Sequence, residues 1–127
     1  MKTIKKNYSI SAKPEKVFKL LTDPREIEKW TGSPAKMDVN NGGFFSLWEG
    51  SIHGINRKIA KNQILQDWKE NNWENFSKVT MNIQHKGDKT EIELIHEDIP
   101  DDSADSINSG WDEYYFGPLK ELAETSD

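Results

Sequence analysis

Trp111, Tyr114, Tyr115 and Phe116 fall within six positions of the segment "NSGWDEYYFGPLKELAE". Their chemistry is that of recognition: indole and phenol rings offer broad apolar faces with one polar tip each, the usual lining of small-molecule sites. Read as a helix, the segment puts Ile107, Trp111, Tyr114, Tyr115, Pro118 and Leu122 on one stripe. Phe116 lies off that stripe and is expected at the surface, where a ring can seed a protein contact. Pro118 lacks a backbone N–H and is expected to bend the helix, freeing the carbonyl of Tyr114, while Gly117 loosens the same point. Two readings stay open. Either the stripe is core, or Trp111, Tyr114 and Tyr115 wall a ligand cavity whose mouth the bend tunes.

Polar residues join the second reading through strand parity. His96 shares parity with Ile92 and Leu94, and Gln66 sits between Ile64 and Trp68 in one parity, so each is expected on the covered face. Buried polar groups need partners. Groups of the protein can satisfy both, or they form a polar spot in an apolar groove that a ligand meets. Trp68 reads as core and Trp73 as a turn anchor, with Trp30 and Trp48 near the rims of the sheet.

Spacing offers no reaction centre. His53, His85 and His96 stand on different expected strands without ligand spacing, so no metal is expected. "GSIHG" around Ser51 lacks the serine placement of a nucleophile elbow, and no Gly-rich phosphate loop occurs. Glu91 and Glu93 belong to a wet strand face, where solvated charge is the default. The expectation is a protein without catalysis or cofactor of its own.

The elements that must position these residues follow from pattern. "TIKKNYSISA" mostly alternates, with Ile4, Tyr8 and Ile10 in one parity, and predicts an edge-capable strand. Pro14 with Val17, Leu20 and Leu21 predicts a first helix; Asp23 as cap, Pro24 and Glu26 in a capping-box position predict a second. From about Ala35 to Glu97 the period is two, broken by turn chemistry at Asn41-Gly42, Lys61-Asn62, Asn71-Asn72 and Gly87-Asp88. Ser77, Val79, Met81 and Ile83 alternate with polar neighbours, which predicts an antiparallel meander with one face wet. The acidic "PDDSADS" suits a helix entrance, and a long helix runs from about Asp101 to Thr125.

The chain has 127 residues, 34% of them hydrophobic and 31% charged, with a formal net charge of −5. This predicts one soluble globular domain over residues 1–127, too aromatic for disorder and too polar for a membrane span. Lysines scattered among acids argue against a nucleic-acid partner. The start "MKTIKKNYSI" has no apolar run of signal-peptide length and the chain has no cysteine, so a cytoplasmic location is expected.

"FFSLWEGSIHGINRKIAKNQILQDWKENNWENFSKVTMNIQ", then "KTEIELIHEDIP" and "GWDEYYFGPLKEL", with "DPREIEKWTG" near the front, resemble the C-terminal domain of activators of the Hsp90 ATPase, the AHSA1-like group. The ordered set of Trp30, the Phe45-to-Gly54 block, Trp68, Trp73, the His96-to-Pro100 strand exit and Gly110-Trp111 carries the resemblance. It implies an α+β helix-grip fold of the START and Bet v 1-like superfamily: a curved antiparallel sheet around a long C-terminal helix, with two short helices near the N-terminus. Eukaryotic activators carry a separate N-terminal domain that supplies much of the Hsp90 contact, and the chain resembles the stand-alone single-domain members. The implied function is a binding domain holding a small apolar ligand between sheet and helix, at Trp111, Tyr114, Tyr115, His96, Trp68 and Gln66. The alternative is a co-chaperone-like interaction domain with an Hsp90-type partner.

Overall fold

The computed structural model describes residues 1–125. Period-two patterning becomes seven strands: β1 (Lys2–Ile10), β2 (Lys36–Met37), β3 (Gly43–Leu47), β4 (Ile52–Ala60), β5 (Gln63–Glu70), β6 (Ser77–Lys86) and β7 (Lys89–Ile99). They form one antiparallel sheet in the order β1-β7-β6-β5-β4-β3-β2, in which the edge-capable β1 lies at an edge. Val79, Met81 and Ile83 of β6 and Ile92 and Leu94 of β7 turn inward together. That shared face is the floor on which the helices pack.

Two short helices, α1 (Pro14–Thr22) and α2 (Pro24–Thr31), connect β1 to β2. Asp23 caps α2 by accepting from the Arg25 backbone N–H at 3.0 Å. The expected capping box does not close. The Asp23 N–H is already donated to the Lys19 carbonyl at the end of α1, and Glu26 pairs with Lys29 instead. One residue thus ends the first helix and begins the second.

After a 3₁₀ turn at Asp101–Ser103, the chain runs through α3 (Ala104–Gly110), a π-helical segment Trp111–Phe116 and α4 (Gly117–Thr125). Ile107, Trp111, Leu119 and Ala123 from this composite helix join Ile10, Val17, Leu20, Ile27, Phe45 and Trp68 in one hydrophobic core. No helix among the described residues is long and apolar enough to cross a membrane.

Candidate functional site

The aromatic segment Trp111–Phe116 is a π-helix, in which the Gly117 N–H reaches back five residues to the Asp112 carbonyl. A wider turn advances each residue through a smaller angle, so the buried stripe shifts by one position within it. Tyr115 and Phe116, adjacent in sequence, both face inward, while Tyr114 turns out to 63% exposure. The expected exposure of Phe116 is therefore corrected: it is 1% exposed. Beyond the segment the stripe runs through Leu119 and Ala123, and Pro118 and Leu122 are only half-buried. The irregularity lies before Pro118, not at it. Gly117 is there for space: a Cβ would run into the Asp112 carbonyl oxygen.

Side chains on β1 hold the wide turn. The Asp112 carboxylate accepts from Lys6 Nζ and from the Tyr8 hydroxyl, each at 2.7 Å, and Lys6 Nζ also donates to the Asn108 carbonyl at 2.9 Å. The Tyr8 ring stacks on Phe116 with centroids 4.2 Å apart. Hydrogen bonds from Lys6 and then Tyr8 hold the Asp112 carboxyl below its usual range. Burial first, and the Asp112 bond second, push the Tyr8 phenol up.

Inward from Trp111 a directed chain of hydrogen bonds runs through the core. Trp111 Nε1 donates to His96 Nδ1 at 3.0 Å, His96 Nε2 and Ser77 Oγ lie 2.8 Å apart, and Ser77 Oγ donates to the Trp68 carbonyl at 2.5 Å. Indole has no acceptor, so Nδ1 is bare and Nε2 carries the proton, which it donates to Ser77. Burial lowers the His96 pKa to about 3, and the ring is neutral. His96 sits behind the cavity wall with both ring nitrogens occupied by the protein. Gln66 is likewise engaged: its Nε2 donates to Asn56 Oδ1 at 2.9 Å, and Asn56 Nδ2 donates to the Asp38 carbonyl. Neither residue lines the cavity described next.

Between the composite helix and the ends of β4 and β5 lies a cavity of about 400 Å³. Trp68 and Trp111, stacked 5.6 Å apart, form one wall with Tyr115, whose ring lies 4.6 Å from Trp111 and 4.7 Å from Trp30. Burial pushes the Tyr115 phenol up, so it is a neutral group. Ile107, Gly110 and Ser106 continue the helix side to Tyr114, while Ile52, Ser51 and Trp48 close the sheet side. Glu70, at the end of β5, is the cavity's one carboxylate, and partial burial raises its pKa. The buried Trp68 Nε1 has no hydrogen-bond partner.

Sequence reading brought Trp68, Trp111, Tyr114 and Tyr115 to this cavity and missed Trp48, Glu70 and the smaller lining residues. Glu70 had a signal: it continues the inward parity of Ile64, Gln66 and Trp68. Trp48 had none. It begins a 3₁₀ turn, Trp48–Gly50, whose three residues all have positive φ, at 50°, 56° and 91°. Only the last is a glycine, so two bulky residues hold a strained backbone beside the cavity.

Sheet, composite helix and intervening cavity together define a helix-grip α+β domain. A family model described as "Activator of Hsp90 ATPase homolog 1-like protein" matches residues 11–124, and the chain belongs to that family. The human activator of 90 kDa heat shock protein ATPase homolog 1 is 25% identical over 94% of this chain and 36% of its own length. The Dictyostelium discoideum homologue is 28% identical over 87% of this chain and 30% of its own. This chain thus spans about a third of those relatives. Among solved structures, PFC0360w, an HSP90 activator from Plasmodium falciparum, superposes with a TM-score of 0.90 at 26% identity, covering 94% of each chain.

Proposed function

We propose that the domain binds a small, largely apolar molecule in the cavity between sheet and helix and performs no chemistry on it. The observation that carries this reading is the wall itself: two stacked indoles and a buried phenol around about 400 Å³, with the Trp111 indole held by His96. That volume is within the roughly 300–1,000 Å³ of small-molecule sites. Support for a non-catalytic role comes from the lining, which pairs no base with a nucleophile: Ser51 and Ser106 supply hydroxyls, Glu70 is the lone carboxylate, and His96 is behind the wall. The test is an amide NMR titration of labelled protein with a panel of apolar and amphipathic compounds. Saturable shifts are expected at Trp68, Trp111 and Tyr115, and Ile52→Trp, which adds bulk to the lining, is expected to remove them. Saturable binding that the folded Ile52→Trp and Trp111→Ala variants retain at full affinity would end this reading.

A second reading, contact with an Hsp90-type chaperone, is favoured by the Plasmodium HSP90 activator that matches this chain nearly end to end. Phe116, the ring expected to serve such contacts, is in the core. Among the described residues the exposed rings away from the cavity include Phe44 and Phe76, each 46% exposed, whose centroids lie 6.3 and 6.4 Å from His53. Purified chaperone from the same organism is expected to hydrolyse ATP faster with the domain present, and less so with Phe44→Ser. Neither stimulation nor binding would sink the chaperone role and leave the cavity untouched.

A further inference from the structure

We propose that the cavity selects an organic cation, an ammonium group bearing an aryl or alkyl substituent, with Glu70 as its counter-charge and the surrounding rings as its cage. The inference rests on the reading that the cavity is a small-molecule site and names the class of molecule.

The lining is unusual in what it combines. Trp48, Trp68, Trp111, Tyr114 and Tyr115 all contribute to it. Aromatic faces carry negative potential and attract cations, Trp most of all. Glu70 is the sole charged residue of the lining; no lysine, arginine or histidine is present to neutralise it. Its carboxylate makes no hydrogen bond or ion pair among the described residues, whereas Asp67, three residues earlier on the same strand, is bridged to Arg57 Nε at 2.6 Å. The neighbouring Lys69 does not line the cavity; its ammonium lies 5.5 Å from the Phe76 ring.

These facts sort the ligand classes. An anion would meet ring faces and a carboxylate of its own sign. A neutral hydrocarbon would fill the space but leave Glu70 partly buried and unpaired, which costs free energy. A cation pairs with Glu70 and gains the ring quadrupoles at once. Partial burial already holds the Glu70 pKa up, the mark of a carboxylate lacking a positive neighbour. The chain's net charge of −5 also raises the local concentration of cations.

The test compares three probes on the intact protein by NMR titration: benzyltrimethylammonium, its uncharged carbon isostere neopentylbenzene, and phenylacetate. Benzyltrimethylammonium is expected to bind at least about tenfold tighter than the isostere, with phenylacetate weakest. Glu70→Gln, which keeps size and shape, is expected to erase most of that preference and leave isostere binding unchanged. Equal or tighter binding of the isostere, or a Glu70→Gln variant with full cation preference, overturns the cation inference while the cavity remains a small-molecule site. Absence of binding by all three also overturns the cation inference, and the cavity reading is then decided by the wider compound panel.

Discussion

Trp111 Nε1 stands 3.0 Å from His96 Nδ1, and the direction of that single bond decides the protonation of everything behind it. A donor-only indole leaves Nδ1 bare, so Nε2–H must point to Ser77, whose hydroxyl turns to the Trp68 carbonyl. The Trp111 indole and the backbone of Trp68, whose ring stacks on it in the cavity wall, are thereby tied together through three strands and a helix. His96 is their coupling, held as a neutral ring.

That neutrality has a pH signature. His96 has an ordinary pKa of 6.5 when unfolded and about 3 when folded, because burial disfavours the imidazolium. Between those values the unfolded chain takes up a proton that the folded chain refuses. Stability from this site is therefore full above about pH 6.5 and is lost as pH falls toward 3, by at most about 1.4 kcal/mol per pH unit. Urea unfolding at stepped pH checks it, and His96→Leu should flatten the slope. Identical slopes in the two proteins would show that His96 does not resist protonation.

Ser77→Ala should cost about 1–3 kcal/mol although it removes one oxygen. Ser77 is fully buried, and its loss leaves the His96 Nε2–H without its acceptor and takes the hydroxyl bond from the Trp68 carbonyl. Denaturant midpoints give the value. A change near zero would mean that water or a rotated ring replaces the hydroxyl.

At Gly117 two physical effects oppose each other. Helix propensity alone makes Gly→Ala stabilising by roughly 0.5–1 kcal/mol. The added Cβ, however, meets the Asp112 carbonyl across the wide turn, and overpacking of that kind costs about 1–3 kcal/mol. Gly117→Ala is expected to be a net loss in thermal unfolding; a gain would argue for an ordinary α-helical turn here.

The β1 clamp on the wide turn is electrostatic and exposed, so its worth is small. A double-mutant cycle on Tyr8→Phe and Asp112→Asn should give a coupling of about 0.5 kcal/mol. The Asp112 carboxyl is held below its usual value of 3.8, so its contribution is present above about pH 4 and disappears as pH falls below that. Coupling that persists undiminished in strong acid would show that the ionised carboxylate is not its source.

Much of the fold could be read because strands and turns repeat in the chain. Ser77, Val79, Met81 and Ile83 alternate because one face of β6 is dry, and Lys61-Asn62 and Gly87-Asp88 mark hairpins through their own turn chemistry. The π segment could not be read. A π turn has no residue pattern of its own, so a stripe counted at 3.6 residues per turn holds for Trp111 and Tyr115 but misplaces Tyr114, Phe116, Pro118 and Leu122. His96 was legible as inward-facing, yet its partners were not, because Ser77 lies on the next strand and register between strands leaves no trace in either one. Glu70 follows plain parity from Trp68. Trp48 depends on a strained turn in which Trp and Glu adopt a conformation that glycine prefers.

The stacking of Trp68 on Trp111, with an interplanar angle of 27°, has an optical side. Two indoles this close couple their near-ultraviolet transitions, and the rigid hydrogen-bonded backing behind them fixes the sign and strength of the resulting circular dichroism. The same pair forms the cavity wall, so a guest that shifts either ring alters the signal. The domain carries a built-in chromophore for its own occupancy, readable in unlabelled protein at the moment of filling.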